Sequence, residues 1–205
     1  ANPLPKPVTI DWKAGGRINV NKNFQFRLHL NGQKDEEKIL TNAAQRAFRL
    51  IKEEKWVPQA WETPMPKWPD FPEFAGEKRA DDDSDSDDED DGVRGELRNV
   101  DIRVKNMNAP LQHGHDESYR IEVTSNGRAS IAAETIWGAL HGLSTFQQLV
   151  ITEDGKGPLF IEQPVSIVDK PNYTHRGVMY DTGRNFLPLR AIKKQIDALA
   201  FSKLN

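Results

Sequence analysis

Apolar residues along this chain follow two different periods, and the changes from one to the other mark its elements. Between Arg17 and Leu30, Ile18, Val20, Phe24, Phe26, Leu28 and Leu30 stand mostly two apart, the spacing of strands with one buried face. From Glu36 to Lys55 the spacing turns helical, with Leu40, Ala43, Ala44, Ala47, Phe48 and Ile51 on one stripe. Alternation returns after Leu97, in Val100, Ile102 and Val104 and again in Tyr119, Ile121 and Val123. Asn126-Gly127 reads as the turn of a hairpin that continues to Ile131. A second helix is predicted from about Glu134 to Val150, burying Ile136, Leu140, Leu143, Phe146 and Val150. Phe160 to Val168 is extended, and Pro164 favours an edge strand there. Residues 1–172 therefore read as one α+β domain, a mostly antiparallel sheet backed by two helices.

The stretch from His175 to Asn205 is organised differently. Val178, Met179 and Tyr180 form a short apolar run expected of a buried strand. A polar turn, Asp181-Thr182-Gly183-Arg184-Asn185, follows. Pro188 suits the first turn of a helix, and Leu189, Ile192, Ile196 and Leu199 recur at helical spacing. One strand and one helix cannot bury each other's faces, so residues 173–205 read as the opening of a larger α/β domain.

Between the two alternating regions, Trp56 to Phe74 carries five prolines and three tryptophans in nineteen residues, which excludes regular structure. An acidic run from Asp81 to Asp91 follows and predicts a disordered insertion around residues 75–95. That run holds nine of the 31 acidic residues, so the rest of the chain sets 28 basic against 22 acidic groups. The surplus is not clustered, and no nucleic-acid footprint is expected. No stretch reaches the ~18–20 apolar residues of a membrane span. Cysteine is absent, which leaves the redox compartment open. Ala1 in place of Met fits a processed chain or a fragment, and secretory signals are cleaved after small residues. Asn172-Tyr173-Thr174 is a glycosylation sequon, which makes Asn172 the candidate glycan acceptor.

Four stretches occur in an order that resembles family 20 glycoside hydrolases, the β-N-acetylhexosaminidases. They are E-S-Y-R-I-E-V (117–123), A-A-E-T-I-W-G-A-L-H-G-L-S-T-F-Q-Q-L-V (132–150), V-S-I-V-D-K-P-N-Y-T-H-R-G (165–177) and R-G-V-M-Y-D-T-G-R-N-F (176–186). The acidic, serine-containing insertion looks most like the fungal members. The resemblance implies a zincin-like α+β domain without zinc, followed by the first βα unit of a truncated TIM (β/α)8 barrel. It also implies a secreted protein, or one held in a lysosome- or vacuole-like compartment. The implied partners are oligosaccharides ending in N-acetylglucosamine or N-acetylgalactosamine and the rest of its own barrel, with a homodimer also allowed. No cofactor, metal, nucleic acid or membrane is called for.

Arg184 is the principal candidate site residue. It follows the C-terminal end of the first barrel strand, the face on which barrel active sites are built. The resemblance implies that it grips the 3- and 4-hydroxyls of a terminal sugar, since a guanidinium offers five rigidly placed donors. A free 4-hydroxyl occurs only at the non-reducing end of a 1,4-linked chain, so such a grip explains exo-cleavage. The structural alternative pairs Arg184 with Asp181 on the barrel rim. Asp181 either orients Arg184 or is a buried charge satisfied by backbone or another arginine, and the buried structural role is the one expected. Arg176 precedes the strand and reads as a structural residue at the bottom of the barrel, against the first domain.

Family members use the substrate's own 2-acetamido oxygen as nucleophile, an exception to the two-carboxylate scheme. The Asp-Glu pair that serves this chemistry is expected beyond Asn205, so no catalytic residue is assigned within the chain. Trp56, Trp61 and Trp68 could stack on sugars, but pinning the proline-rich segment to the surface is the expected role. The acidic run lacks the glycine of a calcium loop. His113 and His115 are not in an H-E-x-x-H arrangement, which argues against a metalloprotease. The competing class is a non-catalytic carbohydrate-binding or scaffold protein built on the same first domain.

Overall fold

The computed structural model describes residues 3–58 and 95–205. The expected disorder around residues 75–95 lies outside the described residues except for Gly95, which opens a strand, and Trp61 and Trp68, expected to pin the proline-rich segment, lie outside them too. Seven strands form one sheet: β1 (Thr9–Trp12), β2 (Ile18–His29), β3 (Gly95–Asn106), β4 (Tyr119–Val123), β5 (Ala129–Thr135), β6 (Phe160–Ile161) and β7 (Val165–Asp169). Their spatial order is β1-β7-β4-β5-β3-β2-β6. The pairs β2–β3 and β3–β5 are parallel and the other four antiparallel. Parallel neighbours need a crossover. Helix α1 (Ile39–Glu54) lies in the connection from β2 to β3.

The helices form where the apolar stripes fall. Leu40, Ala43, Ala44, Ala47 and Ile51 are the buried residues of α1. Helix α2 (Ile136–Leu149) begins at Thr135, whose hydroxyl accepts the Gly138 N–H at 3.3 Å and so satisfies one free amide of the first turn. Both helices press on one face of the sheet, where Val100, Ile102, Val104, Ile121, Ile131 and Ile167 are fully covered. Phe24 centres an aromatic group at this layer, 5.4 Å from Phe26 and 5.1 Å from Phe48, while Phe26 lies 5.9 Å from Phe146. The opposite face is polar and carries cross-strand pairs such as His29–Asp101 at 2.8 Å and Lys13–Glu122 at 3.2 Å. Asn126-Gly127 makes the predicted hairpin turn, with Gly127 at φ 77° and its N–H on the Thr124 carbonyl.

Two expectations fail here. Strand β7 is not an edge: β1 and β4 pair with it on either side. Pro164 stands just before the strand, where its missing N–H interrupts no ladder, and its carbonyl accepts the Lys13 N–H at 2.9 Å. Val178–Tyr180 is not a strand, and Met179 is 87% exposed. A parallel strand takes its hydrogen bonds from neighbours, and none lies beside these residues among those described. Helix α3 (Leu189–Phe201) forms as expected, but it buries no residue, so its apolar stripe lies open at Leu189 and Ile196.

Helix α2 approaches the backbone that leads into β4 through a glycine. A Cβ on Gly138 would run into the Ser118 carbonyl oxygen and lie 3.1 Å from the Glu117 carbonyl carbon. Alanine ordinarily improves a helix interior by about 1 kcal/mol over glycine. Here Gly138→Ala is expected instead to destabilise by about 1–3 kcal/mol, because the obstacle is main chain. Urea unfolding reads the sign, and a raised midpoint would mean that α2 has room to withdraw.

Candidate functional site

The predicted site residues gather in one turn. Asp181 Oδ1 accepts the N–H groups of Gly183 and Arg184, both at 3.0 Å, and closes a tight local loop. Its Oδ2 accepts the Arg184 Nε–H at 2.5 Å. Hydrogen bonds from the Arg184 amide and guanidinium hold the Asp181 carboxyl below the usual carboxylate range. The Asp181 side chain is 37% exposed, and its partner is Arg184 itself. The pair uses one of the five guanidinium N–H groups. The Arg184 side chain is 84% exposed, and its four terminal N–H groups have no partner among the described residues.

A buried polar junction joins residues 173–205 to the sheet domain. Arg176 meets Glu117 with both ends of its fork, Nη2 to Oε1 at 2.6 Å and Nη1 to Oε2 at 3.0 Å. The Glu117 side chain is 3% exposed. His141 Nε2 on α2 lies 2.8 Å from the same Oε1, and His115 Nε2 stands 3.9 Å from it. Burial raises the pKa of Glu117, but the Arg176 and His141 hydrogen bonds outweigh it, and the carboxyl stays below its ordinary value. Arg176 also donates from Nε to the Lys203 carbonyl at 2.8 Å and from Nη1 to the Tyr173 carbonyl at 2.6 Å.

A second cluster lies alongside. Lys203 is the one buried residue among the described residues 173–205. Its ammonium donates to the Tyr119 hydroxyl at 2.6 Å and to Asp169 Oδ2 at 3.1 Å. The Tyr119 hydroxyl donates to the same Asp169 oxygen at 2.5 Å, and Thr145 Oγ1 lies 2.6 Å from it. Burial lowers the pKa of Lys203 and, with the Asp169 contact, raises that of Tyr119.

The structural role expected for Arg176 agrees with these contacts. Glu117, His141, Asp169 and Lys203 had no chemical role in the sequence reading. The pairs His141–Glu117, Lys203–Asp169, Arg176–Glu117 and Lys203–Tyr119 lie 24, 34, 59 and 84 positions apart, beyond any local period. Glu117, His141 and Asp169 do fall within the quoted motif stretches. Asn172 is exposed, and the Thr174 hydroxyl of its sequon lies 3.0 Å from His113 Nε2. Trp56 borders a hollow lined also by Leu50, Ile51, Glu54, Gln147, Val150 and Phe201, and no residue of the Asp181–Arg184 turn lines it. Among the described residues, no group of three or more histidines, cysteines and acids is placed to hold a metal ion.

Comparison with known proteins bears on this arrangement. Residues 3–149 match the family model described as "beta-acetyl hexosaminidase like", and residues 173–205 match "Glycosyl hydrolase family 20, catalytic domain". The chain belongs to glycoside hydrolase family 20. It is 40% identical to a beta-hexosaminidase of Emericella nidulans over 211 residues, covering 100% of the chain and 32% of that relative. A probable beta-hexosaminidase of Arthroderma benhamiae is 37% identical, with 100% and 32% covered. The chain thus spans about a third of the length of these relatives. Among solved structures, the Flavobacterium johnsoniae chitobiase is similar with a TM-score of 0.65 and 23% identity, covering 97% of the chain and 25% of that protein. An exo-β-N-acetylglucosaminidase of Vibrio harveyi in complex with N-acetylglucosamine has a TM-score of 0.57 and 20% identity, with 98% and 24% covered.

Removing the carboxylate from the junction leaves Arg176 buried without its counter-charge. Glu117→Gln is expected to cost about 3–5 kcal/mol at pH 7. Because the folded-state pKa of Glu117 is depressed, its contribution is complete above the ordinary value of 4.5 and is lost as pH falls through the lower folded value. Unfolding of wild type and variant across pH 3–7 should therefore converge in acid. A constant or absent difference would contradict the buried pair.

Proposed function

We propose that this chain is the N-terminal part of an exo-β-N-acetylhexosaminidase that removes terminal non-reducing N-acetyl-D-hexosamine residues. Residues 1–172 form its zincin-like accessory domain, and residues 173–205 begin its catalytic (β/α)8 barrel. The observation that carries this reading is the Asp181–Arg184 turn. Asp181 holds the guanidinium by its Nε edge, and the terminal N–H groups have no partner among the described residues. Such a group suits two neighbouring hydroxyls of a sugar.

In this function Arg184 binds the 3- and 4-hydroxyls of the terminal hexosamine, and Asp181 keeps it in place. Holding the far edge of the sugar fixes the ring against groups supplied by the barrel beyond Asn205. There the 2-acetamido oxygen of the substrate attacks the anomeric carbon while a glutamic acid protonates the leaving oxygen and an aspartate orients the acetamido group. Water then opens the cyclic intermediate with net retention. The 40% identity to a fungal beta-hexosaminidase along the full chain supports the assignment. Secretion, with a glycan on Asn172, is part of the same reading. It draws on the exposed asparagine of the sequon.

Arg184→Lys in the full-length enzyme tests it. Lysine keeps the charge but loses the fork, so kcat/KM on an aryl N-acetyl-β-glucosaminide should fall about 100-fold, or about 2.7 kcal/mol, with unchanged thermal stability. Wild-type kinetics in the variant would refute the role of Arg184.

A further inference from the structure

His141 stands where its protonation state is felt by the segment that carries Arg184. Gly138, three residues earlier on the same helical face, lets α2 close on the main chain of Glu117 and Ser118. That approach sets the His141 ring 2.8 Å from Glu117 Oε1, the oxygen that also receives Arg176 Nη2 at 2.6 Å. One carboxylate therefore serves both the imidazole and the guanidinium.

Arg176 in turn ties together the two ends of the 173–205 unit. Its backbone N–H donates to Asn205 Oδ1 and its carbonyl accepts the Asn205 N–H, both at 2.9 Å. Its side chain reaches the Lys203 and Tyr173 carbonyls. Arg184 sits between these ends in sequence, on a stretch that contributes few buried contacts of its own. The grip of Glu117 on Arg176 is thus one of two buried polar anchors of that stretch, beside Lys203 on Asp169.

We propose that His141 is a positioning residue: as a neutral donor it steadies Glu117 for Arg176, and its protonation loosens the segment that presents Arg184. The charged groups around the ring are Glu117 and His115 from the loop leading into β4, Arg176 after β7, and Lys203 beyond α3, with Asp169 committed to Lys203. A protonated imidazole would place two cations on one carboxylate oxygen, next to the Lys203 ammonium. Burial, with Arg176 and Lys203 adding to it, pushes the imidazole below its ordinary value of 6.5. A depressed histidine contributes stability that is complete above 6.5 and is lost as pH falls. Protonation of the ring would therefore weaken the junction as pH falls below the ordinary imidazole value.

The inference deepens the proposed activity and rests on it for its kinetic arm only. Full-length wild type, His141→Leu and His141→Gln are compared from pH 7.5 to 5 by steady-state kinetics on an aryl N-acetyl-β-glucosaminide. Hydrogen-exchange protection of residues 174–187, corrected for intrinsic rate, is measured on the same samples. In wild type, KM should rise about 5-fold on acidification and protection should fall about 10-fold, with kcat changing less. His141→Leu should show the high KM and low protection at every pH. His141→Gln, which keeps a donor but does not titrate, should restore the neutral values and flatten both profiles. A wild-type protection profile that is flat over this range, or one that His141→Gln reproduces, overturns the inference whether or not the enzyme is active. Failure to hydrolyse any N-acetylhexosaminide would instead strike the proposed function and leave the exchange arm to decide.

Discussion

Glu117 carries a charge in a place almost closed to water, and that charge has to be answered from outside its own domain. Burying a carboxylate is favourable only when its oxygens meet good donors. The sheet domain supplies one, His141 at 2.8 Å. The decisive one, the two-pronged guanidinium of Arg176, comes from the segment after β7. Among the described residues, this charged pair is one of the contacts that seat residues 173–205 on the sheet domain. The only member of that stretch buried among the described residues is again a cation, Lys203, and it answers Asp169. Two complementary pairs at two separated points fix a direction as well as a contact.

The first domain is arranged around this requirement. Tyr119 stands at the start of β4 and pairs with Asp169 at the end of β7 in the ladder, so the two strands deliver the Tyr119–Asp169–Lys203 group side by side. Glu117 lies just ahead of β4, and α2 closes over it through Gly138. The apolar core under the helices holds these strands in register.

Periodicity made the elements of the first domain legible. The Leu40–Ile51 stripe became α1, the run ending at Val150 became α2, and the alternating residues 100–104 and 119–123 became central strands. Asn126-Gly127 made the turn because glycine accepts its positive φ. Which strand sits beside which was not legible, since alternation reports one buried face and says nothing of neighbours. Pro164 suggested an edge, yet one residue of offset lets β7 lie inside the sheet. Val178–Tyr180 has strand composition but no neighbour to bond among the described residues. Arg184 and Asp181 stood out through their motif, and the structure pairs them with each other. Glu117, His141 and Lys203 were hidden because a buried charge announces itself only through a partner remote in sequence.

One determination sees both the Glu117–Arg176 pair and the Arg184 fork. A crystal structure of the full-length protein with N-acetylglucosamine bound should show Arg184 within hydrogen-bond reach of the sugar's 3- and 4-hydroxyls. The same structure should retain Asp181 on its Nε and Glu117 bidentate on Arg176. A sugar bound elsewhere with Arg184 directed into solvent, or Glu117 and Arg176 standing apart, would contradict it.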